Sequence, residues 1–249
     1  RSVTATASNG CTTTAQTSVT VNTPSASSIN SSTGSSLSNG DYVWNGNTST
    51  SWTTLANWYT YNGTSFSVPS VDPTSTSNVY IVPSSSTSCI NASNVPTLNS
   101  NDGIVNLTVA TGSSLDLSTN TVSMSGNLNV NGNITGSGTI LLNGTGNQTI
   151  SGSGIVQIPN LQTNKSTGNV TLNNPVKVMN TLTMTNGNIN TGSNILEVGS
   201  STSSVGSVSW TNGTIIGYLK RWFGNSTNST QASGIFPVGN SSYNRYADR

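Results

Sequence analysis

The sequence predicts an all-β protein: a right-handed β-solenoid (β-helix) with a Trp-rich N-terminal cap, preceded by the last strands of a β-sandwich. Three observations carry this. No stretch spaces its apolar residues at the helical period of 3.6. Turn signals recur along the chain, at Asn62-Gly63, Asp102-Gly103, Asn131-Gly132, Asn143-Gly144, Asn186-Gly187 and Asn212-Gly213, with short β-rich segments at 105–109, 115–117, 140–142 and 176–178. The chain also repeats itself at an offset of 54 residues.

Residues 1–23 come first. Val3, Ala5 and Ala7 alternate with Thr4 and Thr6, Ser8-Asn9-Gly10 supplies a turn, and Val19 and Val21 resume the alternation. That is a hairpin pattern. Two strands bury no core alone, so 1–23 reads as the end of a β-domain whose start lies upstream. Residues 24–40 are Ser-rich with two isolated apolar positions and read as a flexible linker. Residues 41–103 hold three of the five Trp and read as the cap and first coils.

Residues 104–206 read as two copies of a 54-residue unit. At that offset Val122 meets Val176, Met124 meets Val178, Leu128 meets Leu182 and Val130 meets Met184. Four or five short strands per unit and no helix suggest two to three coils of a solenoid. An immunoglobulin-sized sandwich needs about 100 residues per copy, and a propeller blade of about 40–50 is the weaker alternative. Asn and Gly fit the bends because both tolerate left-handed backbone, and Asn can stack in ladders between coils. Residues 207–249 form a C-terminal β segment that stops without a terminator, so the chain reads as part of a longer secreted protein.

Composition sets the chemistry. The 249 residues include 45 Ser, 39 Thr, 36 Asn and 25 Gly, against seven Lys+Arg, six Asp+Glu and no His, for a net charge of +1. Such a chain has little with which to do acid–base catalysis or hold a metal. It carries no basic footprint for nucleic acid and no apolar run long enough to span a bilayer. No cofactor is expected. A solenoid explains how so polar a chain folds: each coil needs only two or three inward apolar residues, and the backbone ladder satisfies the rest.

Cys11 and Cys89 show no zinc-type spacing, which leaves a disulfide or two buried thiols. The acids Asp102, Asp116 and Glu197 are widely spaced, and the three do not recur between the copies, which argues against a catalytic cluster. Fourteen Asn-x-Ser/Thr sequons, as at Asn62, Asn91 and Asn133, are about what this composition gives by chance. No calcium-loop motif is present. The run Thr181-x-Thr183-x-Thr185 lacks a Thr counterpart in the other copy, which argues against an ice-binding array.

Two stretches admit a binding reading. In the first, Trp44-Asn45-Gly46 through Trp52 to Asn57-Trp58 places three Trp close together: either a glycan-stacking platform of Trp44, Trp52 and Trp58, or an aromatic plug over the first coil. The plug is the preferred reading. In the second, residues 218–223, period two sets Tyr218, Lys220 and Trp222 on one face and Leu219, Arg221 and Phe223 on the other. That stretch is either an acidic-glycan groove or, preferably, a terminal strand whose cationic stems pack on rings.

The W-x-G…S-x-x-W…N-W spacing resembles the start of β-solenoid regions in large secreted adhesins. More closely, the chain resembles repeat-rich surface proteins of Bacteroidetes exported by the type IX secretion system. Gly126-Asn127-Leu128, Gly132-Asn133-Ile134, Gly138-Thr139-Ile140 and Gln148-Thr149-Ile150 resemble their repeat coils. Residues 217–223, with Phe236-Pro237-Val238-Gly239 and Tyr243-Asn244-Arg245-Tyr246, resemble the segment after the coils, and residues 2–21 the last strands of their Ig- or PKD-like modules. The resemblance implies a partner for Cys11 upstream of this chain. It also implies a non-catalytic, extracellular, adhesin-like stalk whose partners are other domains of the same chain, surface glycans or a secretion component. A carbohydrate-binding module using Trp44, Trp52 and Trp58 is the alternative.

Overall fold

The computed structural model describes residues 2–6, 12–16, 25–83, 94–224, 234–240 and 244–247. Its body is a β-solenoid of about six turns. Each turn visits three faces in the same order, and strands on each face pair in parallel with those one turn away.

The chain opens with β1 (Ser2–Thr6) and β2 (Thr12–Gln16), an antiparallel pair in which Val3 faces Ala15. The second strand is therefore 12–16. The expected partners Val19 and Val21, the Ser8-Asn9-Gly10 turn, and both cysteines lie outside the described residues. The expected linker is corrected next. Residues 24–40 contain α1 (Ala26–Thr33), closed by Gly34 in the left-handed region (φ +67°), and its Ile29 is 2% exposed. Ile29 packs with Val43, Phe66, Val82 and Ala110. One apolar residue in a polar run gave no periodicity to read, yet a single anchor suffices to dock one helical face.

An antiparallel ribbon follows: β3 (Tyr42–Trp44), β4 (Trp58–Tyr61) and β5 (Phe66–Ser67). β3 then pairs in parallel with β6 (Val79–Ile81), which starts the stack. The coils continue through β7 (Asp102–Ile104), β8 (Leu107–Val109), β9 (Ser114–Asp116), β10 (Thr121–Met124), β11 (Leu128–Val130), β12 (Asn133–Thr135), β13 (Thr139–Leu142) and β14 (Gln148–Gly152). β15 (Val156–Leu172) and β16 (Val176–Val198) run continuously across several faces. β17 (Ser207–Trp210), β18 (Ile215–Arg221), β19 (Phe236–Gly239) and β20 (Asn244–Ala247) complete the order.

On the first face Val122 stacks on Asp102 below and Ile140 above, and the column continues through Leu161, Leu182 and Val208. On the second, Val79, Leu107, Leu128, Ile150 and Leu172 align. On the third, Val156 lies against Val176 and Ile158 against Val178. These inward side chains are almost all fully buried and form one core. The outward positions of the first face are Thr121, Thr139, Asn160, Thr181 and Ser207 in one column, and Ser123, Leu141, Gln162, Thr183 and Ser209 in the next.

The stacked period is one coil: 18 residues from Val122 to Ile140, 21 from Ile140 to Leu161 and 26 from Leu182 to Val208. The 54-residue offset does not join stacked residues. Val122 lies on the first face and Val176 on the third; Leu128 lies on the second and Leu182 on the first. All three faces share the same two-residue alternation with apolar side chains inward, so a self-match of about two and a half coils aligns one face with another.

The expected Asn ladder is present at the corner before the second face, mostly in a side-chain-to-backbone form. Asn78 Nδ2 donates to Asp41 Oδ1 (2.9 Å) and Asn106 Nδ2 to Asn78 Oδ1 (2.8 Å). Asn106 Oδ1 then accepts from the Asn127 backbone N–H, and Asn127 Oδ1 from that of Thr149 (2.8 Å). Higher up, Asn147 Oδ1 accepts from Asn169 N–H (3.0 Å) and Asn188 Oδ1 from Thr214 N–H (2.9 Å). The last four of these bonds each satisfy a backbone amide of the corner.

Candidate functional site

The Trp cluster is a cap. Trp44 and Trp52 are 1% exposed and Trp58 is fully buried. The Trp58 ring stands edge-on to both others, with centroids 4.9 Å from Trp44 and 4.7 Å from Trp52. Trp44 Nε1 donates to Asn94 O (2.8 Å), Trp58 Nε1 to Trp52 O (2.6 Å), and Trp52 Nε1 to the Asp102 carboxylate. All three belong to the main core, together with Ile81, Leu98 and Ile104. The glycan-platform reading of Trp44, Trp52 and Trp58 is thereby corrected: their rings lie within the fold and present no face to a sugar.

Asn57, buried beside Trp58, organises the loop between Trp44 and Trp52. Its Oδ1 accepts from Thr48 N–H (2.9 Å), the Thr48 hydroxyl (2.7 Å) and Ser49 N–H (3.0 Å), while Nδ2 donates to Ser49 Oγ and Ser51 O (2.9 Å each). The Asn-Trp pair of the motif therefore supplies a polar hub and an aromatic hub side by side.

A second cluster, invisible in the sequence, sits at the corner between the first and second faces. Lys165 is 1% exposed. Its Nζ donates to Gly144 O (2.7 Å), Gly146 O (2.9 Å) and Gln148 Oε1 (2.7 Å). Gln148 Oε1 also accepts from Gly144 N–H (2.9 Å), and its Nε2 donates to Met124 O (2.9 Å) and Gly126 O. Burial lowers the Lys165 pKa from its ordinary 10.5. The three acceptors hold the head group.

The third cluster lies on the outer side of the third face, in the last coils. Glu197 bridges Lys177 (3.4 Å) and Lys220 (3.0 Å) and accepts from Trp222 Nε1 (2.5 Å). Partial burial pushes its pKa up, but the Trp222 and Lys220 hydrogen bonds and the two lysine charges outweigh this and hold it below 4.5. Lys220 Nζ lies 4.5 Å from the centroid of the Trp222 ring. Tyr218 is 61% exposed. Arg221 turns the other way, its guanidinium 5.6 Å from both the Phe223 and Phe236 rings, and donates to Ile235 O (2.9 Å). The expected split of Tyr218 and Lys220 from Leu219 and Arg221 is present, and both cations do pack on rings.

Asp41, Asp102 and Asp116 are tied into the chain. Asp41 Oδ2 accepts from Ser38 N–H (2.7 Å) and its Oδ1 from Asn78. Asp102 Oδ1 accepts from Gly103 N–H (2.7 Å); burial raises its pKa above 3.8 despite that bond and the one from Trp52. Asp116 Oδ1 accepts from Ser118 N–H (2.8 Å). Asp102 starts the first face, and Asp116 lies on the third several coils before Glu197. Tyr80, half-buried and beside Asp41, has its phenol pushed up to about 12 by that partial burial and by the carboxylate. Among the described residues no three His, Cys, Asp or Glu come together as a metal site, and no helix is long and apolar enough to cross a membrane.

No family model matches this chain, and no curated protein or solved structure matches it either. The functional reading therefore rests on the arrangement of these residues.

Proposed function

We propose that this chain is a non-catalytic stalk segment of a large secreted cell-surface protein, adhesin-like in role, which holds a partner-binding region away from the cell. The observation that carries the reading is the use made of the carboxylates. Asp41, Asp102, Asp116 and Glu197 each accept hydrogen bonds from their own chain and lie on different faces or coils, and where a second acid, Asp72, brings its charge to bear on Asp102, the Asp102 carboxylate is already held by Trp52 Nε1 and Gly103 N–H. A polysaccharide-acting β-helix needs two acids, or an acid and a base, converging on one substrate bond.

A stack of parallel coils suits the mechanical role. Its rungs are tied by backbone ladders and by the Asn bonds between coils, so load along the axis is shared by many hydrogen bonds. The uncharged Ser, Thr and Asn exterior suits an extracellular surface, in keeping with the resemblance to Bacteroidetes type IX cargo. Other domains of the same chain are the immediate partners.

The test pairs an activity screen with localisation. The 249-residue chain is incubated with a panel of neutral and acidic polysaccharides, and new reducing ends or unsaturated products are measured. Antibodies against the chain are applied to intact cells of its source. No cleavage together with surface labelling is expected. Turnover on any substrate, lost on Glu197→Gln or Asp116→Asn, overturns the non-catalytic assignment; purely intracellular labelling overturns the surface assignment.

A further inference from the structure

The outward surface of the third face differs from the first. Ile155, Pro175, Ile195 and Tyr218 occupy equivalent outward positions in successive coils. Ile155 is 53% exposed, Ile195 45% and Tyr218 61%. Two residues further along each strand, Lys177, Glu197 and Lys220 form a parallel column, with the two ammonium groups on either side of Glu197. The result is an apolar track one side chain wide, ending in an open aromatic ring and edged by lysines two rungs apart, about 9.5 Å. The first face at the same height carries Thr181, Thr183, Ser207 and Ser209.

We propose that this track binds an extended acidic polysaccharide of the polyuronate class, with sugar rings over Tyr218 and Ile195 and carboxylates at Lys177 and Lys220. Three features of the surface select that occupant. The track runs along the solenoid axis and is narrow, which fits a linear polymer and not a globular partner. The coil backbone groups beneath it are already paired in the ladders, so no sheet edge is free there to capture a peptide by strand addition. Recognition is left to ring stacking and ammonium donors, the means by which sugar C–H faces and anionic groups are held. Carboxylate is also the anion this lysine pair already grips, in Glu197. Lys220 keeps half of its side chain exposed beside that carboxylate.

The inference goes beyond the stalk reading and fails separately from it: a chain that sits on the cell surface and binds no polyuronate keeps the stalk and loses the site. The experiment is affinity electrophoresis of the 249-residue chain in gels containing polygalacturonate, dextran sulfate or neutral dextran, with polyglutamate as a competitor. Retardation by polygalacturonate alone is expected, resistant to polyglutamate. Tyr218→Ala weakens it about tenfold, the equivalent of about 1.4 kcal/mol, and Lys177→Gln with Lys220→Gln abolishes it. Ser209→Ala, on the first face, leaves it unchanged. Circular dichroism checks each variant, and the solvent-exposed Tyr218→Ala decides the matter even if the double lysine variant fails to fold. The proposal is overturned by an absence of retardation, by undiminished binding in Tyr218→Ala, or by equal binding to dextran sulfate or displacement by polyglutamate, either of which would reduce the effect to charge.

Discussion

Lys165 Nζ and Gln148 Oε1 lie 2.7 Å apart inside the solenoid, and they belong to successive coils. The corner before the second face lengthens from three residues (125–127) to five (143–147), so that Asn127 stacks on Thr149 inside β14 while Asn147 precedes β14 and stacks beneath Asn169. The longer corner is braced by two long polar side chains. Gln148 reaches down to Met124 O and Lys165 reaches down to Gly144 O and Gly146 O. The pair thus bridges a local change of corner geometry that apolar side chains, unable to meet those carbonyls, would leave unsatisfied.

Replacing Lys165 tests this bridge. Lys165→Met keeps the stem volume and removes the donors, leaving the buried Gly144 O and the part-buried Gly146 O without them. A loss of about 2–4 kcal/mol is expected in urea unfolding. The pH dependence has a defined sign. The folded-state pKa lies below 10.5, so between the two values the unfolded chain binds more protons and stability rises with pH. Lys165→Met removes that rise, which melting curves between neutral and alkaline pH will read.

The three buried Trp give the second prediction. Trp58 stands between Trp44 and Trp52, and its loss leaves a cavity at the end of the core. Trp58→Ala should cost about 3–5 kcal/mol. In the native chain, iodide should leave the emission of Trp44, Trp52 and Trp58 untouched while quenching the partly exposed Trp210 and Trp222. A Trp210→Phe, Trp222→Phe double variant isolates the cap signal. Full iodide accessibility in that variant would contradict the plug.

The legible parts of the fold share one property: they are written in adjacent residues. Val122-x-Met124, Ile140-x-Leu142 and Leu182-x-Met184 announce inward columns by simple alternation, and the Trp-rich stretch announces a cap. What was not legible depends on residues brought together by stacking. Lys165 meets Gln148 across one turn, and Glu197 meets Lys177 and Lys220 from the turns on either side. Ile29 gave no pattern because it acts alone. The face to which a strand belongs was also hidden, since the three faces share one alternation. The Asn-Gly and Asp-Gly pairs split in the same way: Gly187 and Gly213 are left-handed (φ +96° each), whereas Gly103 of β7 has no positive φ.

Close approach between coils, and not turn conformation, governs a third prediction. A Cβ on Gly138 would lie 2.1 Å from Asn120 O and 2.7 Å from Leu117 Cβ, both in the preceding coil. Gly138→Ala should force the coils apart and cost at least about 2 kcal/mol. Gly146, one corner later, has nothing within 4 Å of the same position. Gly146→Ala should change stability by no more than about 0.5 kcal/mol. Urea midpoints of the two variants compare the sites directly.

The Glu197 bridge yields the last prediction. Its folded-state pKa lies below 4.5 because Trp222, Lys220 and Lys177 favour the carboxylate more strongly than burial disfavours it. The unfolded chain therefore binds the proton first as pH falls. The stabilisation is complete above 4.5, declines below it, and is lost once pH passes the folded-state value. Glu197→Gln cannot titrate and leaves Lys177 and Lys220 facing each other without a counter-charge. At neutral pH the native chain should therefore melt higher than the variant, and the two melting temperatures should converge as pH drops below 4.5. Raising salt at neutral pH should narrow the same gap, since Lys220 is half-exposed and screened. A gap that stays constant from neutral pH into acid would mean that Glu197 holds its neighbours by hydrogen bonding alone, and that its charge contributes nothing.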